Sequence, residues 1–459
     1  MPADEAIAQL VSTEGTSATQ AATDTRYGAT MHAPAYGVVG DGEVDDAPKL
    51  SELLNTAATF GASVTLAAGS TLALGSSIGV PTGTRLIGNG ALVKKKDTLA
   101  ASAFVLSAVS DITIEGIRVD GQRALFASSE WQHGFYIILG SARVTLRDVE
   151  VFDCNGDGVY VGHQGGASKD ITLVNVNSHG NNRQGMSISH VSGLTAIDCT
   201  FRATSGTNPR AGVDIEPNSG SVVCENINFV SCTFSSNGHF GFLVAFAYTA
   251  TVRQGGIELM GCTIEGNGVD SVSYGGGLNL RAARDFTMTG GTIRNNTGPG
   301  VFIDWTTISR GITFQGVTIE GNSQHGFHVR SGVDDLSIIG CTFRDNGVAG
   351  PGNYAGCIIN PLIASTNIRF LGNTSEGASQ RYGFQTTNAA AITRVMLVGN
   401  TYRDNALGAR ALADDAATRL DLDTAVKPTV TGSRGGNTAL GSFITALASR
   451  GLVTDSTTA

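Results

Sequence analysis

The chain has 459 residues, 41% hydrophobic and 15% charged, with 61 Gly, 10 Pro and a formal net charge of −9. That acidic balance argues against a nucleic-acid partner, because phosphate binding needs a basic surface. No apolar run reaches the roughly 18 residues that span a bilayer, and Met1-Pro2-Ala3-Asp4-Glu5 lacks the basic, apolar and small-residue order of a signal peptide, so neither membrane insertion nor such a signal is expected.

In chain order, residues 1–34 read as a leader and linker: one apolar cluster, Ile7-Ala8-Gln9-Leu10-Val11, then Ser- and Thr-rich sequence. From Tyr36 the character changes. The loop Gly37-Val38-Val39-Gly40-Asp41-Gly42 leads to Asp46 and the amphipathic segment Ala47-Pro48-Lys49-Leu50-Ser51-Glu52-Leu53-Leu54-Asn55. Asp46 is placed to cap that helix, and Pro48 falls in its first turn, where a missing N–H costs little. The run from Ser63 to Leu72 then reads as two strands about a Gly turn.

Length alone suggests two or three domains, but residues 35–412 repeat one unit. Thr233, Thr263, Thr292, Thr318, Thr342, Thr374 and Thr401 recur, by subtraction of their positions, 24 to 32 residues apart. Coils close on a recurring Asn (Asn237, Asn267, Asn296, Asn322, Asn346, Asn405), which stacking at roughly 4.8 Å brings into register for structural hydrogen bonding. Four of the seven Cys (Cys199, Cys232, Cys262, Cys341) occupy one slot of the repeat, where Cys acts as a small buried hydrophobe; paired metal-ligand spacing is absent. The expected architecture is therefore an all-β, single-stranded parallel β-helix.

The strand after each coil's Gly carries the informative variation. Alternation buries Val213 and Ile215 and their counterparts. It sends outward Tyr160, Ser187, Asp214, Leu243, Asn279, Phe302, His328 and Ile358, with Gly162, Ser189, Glu216, Ala245, Arg281, Asp304, Arg330 and Asn360 beside them. A strip of acids, bases and aromatics on an exposed sheet suits a linear ligand. Asp214 and Glu216 are its adjacent carboxylates. Two residues apart on a strand they stand about 7 Å apart, within the roughly 6.5–9.5 Å that inverting glycoside hydrolysis uses. They are the expected catalytic pair, the alternative being a solvated pair before the Pro217 turn. Tyr160, Asn279, Arg281, Phe302, Asp304, Trp305, His328 and Arg330 are the expected substrate contacts. Arg281, Asp304 and Arg330 read equally well as an ion-pair ladder.

After about Ala413 the repeat is expected to stop, giving a C-terminal segment, 413–459, with a linker-like run from Val426 to Asn437. Beyond it Leu440, Phe443, Ile444 and Leu447 share one helical face, with Asn437 as cap. Association between subunits or packing on the β-helix end would cover that face.

The helix-then-strands opening resembles the start of the pectate-lyase-like superfamily of right-handed parallel β-helices, in which the helix plugs the first coil. Ala8-Gln9-Leu10-Val11 through Ala22, and the tail from Thr438 to Ala459, resemble segments of tail proteins from phages of actinobacteria. These resemblances imply a phage tailspike-like protein located in the virion tail, a homotrimer acting outside the host cell on a surface polysaccharide. The chain lacks the Gly-His-Gly element and paired-Asp signature of polygalacturonases and the Tyr, Asp, His order of mannuronan epimerases, so no family's catalytic residues carry over. Three functions stay open: a polysaccharide-cleaving glycosidase without cofactor, a receptor-binding protein without catalysis, and a polysaccharide lyase. In the last, Arg281, His328, Arg330 and Tyr160 would serve, and Ca²⁺ would be the cofactor to consider.

Overall fold

The computed structural model describes residues 30–127, 129–162, 165–246, 252–270, 275–388, 391–413, 419–422, 429–449 and 454–458. The leader resemblance falls on residues 1–29, outside this set. The chain divides into two compact units, Met1–Arg281 and Ala282–Ala459, both built from parallel strands stacked coil on coil.

The first unit starts its ladder earlier than the sequence suggests, because Thr30–His32 pairs in parallel with Ser63–Thr65. The helix Ala47–Phe60 has Pro in its first turn and Gly61 in the left-handed conformation at its end, and it buries Leu50, Leu53, Leu54 and Ala57. Asp46 does not cap it by a side-chain hydrogen bond. Its carboxylate instead accepts the backbone N–H groups of Val39 at 2.6 Å and Gly40 at 3.1 Å. A loop that folds back with unpaired donors competes with the helix end, and here the loop wins.

Each later coil contributes a long strand, a short strand and the Gly-led strand. Val191–Ile197, Thr200–Arg202 and Val213–Ile215 form one such set. Like positions stack: Thr200 on Thr233 on Thr263, and Val159 on Met186 on Val213 on Phe242. The inward columns are fully buried, and Phe201, Phe229, Phe234 and Phe242 fill the interior with ring centroids 5.1–6.3 Å apart. Burying rings of this size is the main source of coil stability.

The second unit repeats the scheme, with Thr292, Thr318, Thr342, Thr374 and Thr401 in one column. Its ladder runs past the expected end at 412, since Arg419–Leu422 pairs with Val395–Val398. The linker-like run is also more ordered than its composition suggests. Residues 426–428 lie outside the described set, but Thr429–Ser433 is a strand paired in parallel with Thr454–Thr458, and the helix Thr438–Ser449 lies between them in sequence. Asn437 Oδ1 accepts the Leu440 N–H at 3.0 Å.

The recurring Asn residues form buried ladders. In the second unit Asn296 Nδ2 donates to Asn322 Oδ1 at 2.8 Å, and Asn322 Nδ2 donates to Asn346 Oδ1 at 2.8 Å. Asn346 then donates to Gln380 Oε1 at 3.0 Å, so Gln substitutes in one rung. The residue before a rung is left-handed: Ser236, Asn295, Asp345 and Asp404 have φ of 54°, 54°, 45° and 53°, and Gly266 and Gly321 take the same region. That requirement explains why Gly, Asn, Asp or Ser precedes each rung Asn.

All seven Cys are buried free thiols. Native protein is therefore expected to resist thiol-reactive dyes, with all seven Cys labelled only after denaturation; mass spectrometry of the labelled chain checks this.

Candidate functional site

In the first unit the outward column reads Tyr136, Tyr160, Ser187, Asp214, Leu243, Asn279 in register. It points outward, yet it is not the open strip that alternation suggests. Tyr160, Ser187, Asp214, Leu243 and Asn279 are only 0–6% exposed. At Tyr160, Ser187 and Asp214 the cover comes from other segments: those bearing Glu130 and Trp131, and Asn218 and Val222, share with them and Glu216 the wall of a cavity of about 450 Å³. Strand alternation gives a side chain's direction but is silent on what folds over it.

Asp214 sits at the centre of this site. It is 2% exposed and Glu216 is exposed. Burial, and then the negative charge of Glu216, push the Asp214 carboxyl up to about 8. Asp214 Oδ2 accepts a hydrogen bond from Gln184 Nε2 at 3.1 Å, while Oδ1 has no protein partner. An oxygen that already accepts an amide N–H is the poorer site for a proton, so the acid proton belongs on Oδ1. Asp214 is thus a neutral, proton-bearing acid at neutral pH; the residue lines the cavity, and Oδ1 itself is buried.

Three further residues support it, and sequence reasoning did not find them. Asp157, fully buried, is raised to about 6 chiefly by burial, with Arg183 opposing. Its Oδ1 accepts the Gln184 backbone N–H at 3.1 Å, so Gln184 ties Asp157 to Asp214. Arg183 lies between two acids, 3.6 Å from Asp157 and 3.5 Å from Glu130. Behind them the buried His133 accepts the Asp157 N–H on Nδ1 at 3.1 Å, and its ring lies 4.9 Å from the Tyr160 ring and 5.0 Å from that of Tyr136. The Tyr160 hydroxyl meets Ser189 Oγ at 2.9 Å. Asp157, Arg183 and Gln184 occupy the turns leading into Gly158 and Gly185; carrying the column alignment two residues upstream of each Gly would have exposed them.

Of the remaining expected contacts, Asn279 and Arg281 belong to the first unit but do not line this cavity. Asn279 is fully buried, and the Arg281 guanidinium lies 5.8 Å from the Phe240 ring centroid. Phe302, Asp304, Trp305, His328 and Arg330 fall in the second unit. There Phe302 and His328 are neighbours in register, with ring centroids 5.2 Å apart, and His325 lies 4.8 Å from His328. Burial holds both histidines down, His325 to about 3 and His328 to about 4, so both are neutral near pH 7. Asp304 is half-buried, Arg330 is exposed, and Trp305 is 46% exposed with a φ of 111°, rare for a side chain of that size. Among the described residues no group of three or more His, Cys, Asp or Glu is placed to hold a metal ion, and no helix is long and apolar enough to cross a membrane.

Parallel strands stacked coil on coil define a parallel β-helix. The chain belongs to the family described as right handed beta helix region, whose model matches residues 102–268 and 224–375, more than half of the sequence. It is similar to the uncharacterized protein YclG of Bacillus subtilis (strain 168), 25% identical over 349 residues, which cover 67% of this chain and 57% of that protein. The chain therefore spans little more than half of that relative's length. Among solved structures it is similar to the A-module of the Azotobacter vinelandii mannuronan C-5 epimerase AlgE4 (TM-score 0.57, 17% identity, 85% of this chain and 99% of that one). It is also similar to tailspike protein 3 of bacteriophage CBA120 (TM-score 0.59, 13% identity, 89% and 64%). At such identities the likeness is one of fold.

Proposed function

We propose that this is a phage tailspike-like protein that binds a host surface polysaccharide and cleaves it as a glycoside hydrolase. The observation that carries the reading is Asp214: a buried carboxyl, raised to about 8, with one buried and unpartnered oxygen, in a residue that lines a cavity together with an exposed second carboxylate. Substrate entry must first uncover the buried Oδ1; Asp214 then donates its proton to the glycosidic oxygen, and Glu216 takes a proton from the attacking water. Their spacing of about 7 Å along the strand favours inversion. Gln184 positions the acid, and Trp131, 51% exposed, offers a ring face to pyranose C–H groups. The tailspike and polysaccharide-modifying names among similar structures support the class, as do the terminal resemblances. Homotrimeric assembly and a place in the virion tail, acting outside the host, complete the proposal.

The deciding experiment incubates the protein with purified host envelope polysaccharide. New reducing ends without ultraviolet absorbance mean hydrolysis. Absorbance from a new double bond means elimination, the reading favoured by the Tyr160 hydroxyl and Arg183 in the same cavity. Retention without products means adhesion alone.

The acid must be protonated, so kcat/KM is expected to fall as pH rises through about 8, roughly tenfold per pH unit beyond it. A profile flat to pH 10 would remove Asp214 from the acid role.

A further inference from the structure

We propose that the sugar seated beside Asp214 carries no anionic group: the cavity selects a neutral or amine-bearing pyranose and rejects uronates. This rests on reading the cavity as the glycan site. The charge balance of its walls carries the argument. The charged acids Glu130 and Glu216 line the cavity beside the neutral Asp214, and Asp157 stands behind it. Among the described lining residues Arg183 is the one Lys or Arg, and His190 the one other basic side chain.

Arg183 does not serve as a free anion clamp. Glu130 holds one end of its guanidinium at 3.5 Å and Asp157 the other at 3.6 Å, and its side chain is 17% exposed. A carboxylate-bearing sugar would have to break one of these pairs or sit unpaired beside the like charge of Glu216. The other polar side chains of the lining carry no charge: Tyr160, Ser187, Ser189 and Asn218. An amine on the sugar would meet Glu216 and Glu130 favourably. Selection by charge therefore comes from acids that have already claimed the arginine.

The test uses the full chain carrying Asp214→Asn, so that bound glycan is not consumed, on an array of neutral, amino, uronate and sialylated oligosaccharides. Neutral or amino glycans are expected to be retained. Oxidising the primary hydroxyl of a retained glycan to the uronate is expected to weaken binding about 100-fold, the scale of like charges juxtaposed in a binding site. In the same background Glu130→Gln frees one end of Arg183 and is expected to narrow that gap by about tenfold. Retention of acidic glycans over their neutral counterparts would overturn the charge selection and leave the glycan-site reading standing. Retention of no class of glycan would overturn the site reading itself. A gap unchanged by Glu130→Gln would remove Glu130 from the selection.

Discussion

Asp214→Asn is expected to lower polysaccharide turnover by about 10²- to 10⁴-fold, the usual contribution of a positioned general acid, while leaving the folded protein at least as stable near pH 8. The second half of this expectation follows from linkage. The Asp214 carboxyl is raised from 3.8 to about 8 in the folded chain. Folding therefore favours the protonated form, and its contribution to stability is full below about pH 4 and is lost as pH rises through about 8. Asn has the same shape, keeps an acceptor for Gln184 Nε2 and does not titrate. The variant should lose that slope, so its Tm advantage over the parent grows from pH 5 to pH 8. Turnover by reducing-end assay and Tm by calorimetry across that range check both parts. Undiminished turnover, with Glu216→Gln equally active, would show that the chemistry lies elsewhere. Turnover lost together with Tm would mean that Asp214 serves the fold.

Asn322→Ala is expected to cost about 3 kcal/mol or more, because each buried polar group left unpaired costs about 1–3 kcal/mol. The Asn322 side chain is fully buried and works in both directions along the ladder. It donates to Ile293 O at 3.1 Å and to Asn346 Oδ1 at 2.8 Å, and its own oxygen receives the Asn296 side-chain amide at 2.8 Å and the Asn296 backbone N–H at 3.1 Å. Removing it strands partners in both neighbouring coils. The neighbouring position gives the contrast. Asn295 is exposed and left-handed at φ 54°, a conformation Gly adopts freely, so Asn295→Gly should stay within about 0.5 kcal/mol of the parent. Denaturant unfolding of both variants checks the pair, and equal effects would refute the ladder's role.

The solenoid was legible because stacking makes the same physical demand every coil. A left-handed turn, a buried amide and a bulky apolar strand recur at each level, and the residues that meet those demands recur with them. The site was legible only in part. Asp214 and Glu216 stood out because two acids interrupt a column of bland residues, and the strand period gave their spacing. Asp157, Arg183 and Gln184 did not, because they sit in turns whose sequence differs from coil to coil. Their meaning depends on Glu130 and His133, which belong to a separate stretch of chain. Burial was misread for the same reason: the cover over Tyr160 and Asp214 comes from connections whose path no period encodes. Asp46 failed as a cap through a similar conflict, a local motif outcompeted by a folded-back loop.

The Asn rungs and Gly-led strands also have an evolutionary consequence. Each coil is fixed at these two points, and what joins them is free to vary, as the 24- to 32-residue spacing of the column threonines shows. Lengthening a connection twofold costs only about 0.6 kcal/mol in closure entropy, so the stretch from Pro217 to Val223 beside the cavity can be exchanged for a longer or shorter one without moving a rung. The scaffold and the cavity wall are thus separable inheritances. The cavity wall can therefore change by trading connections while Asp214 and Glu216 stay in place.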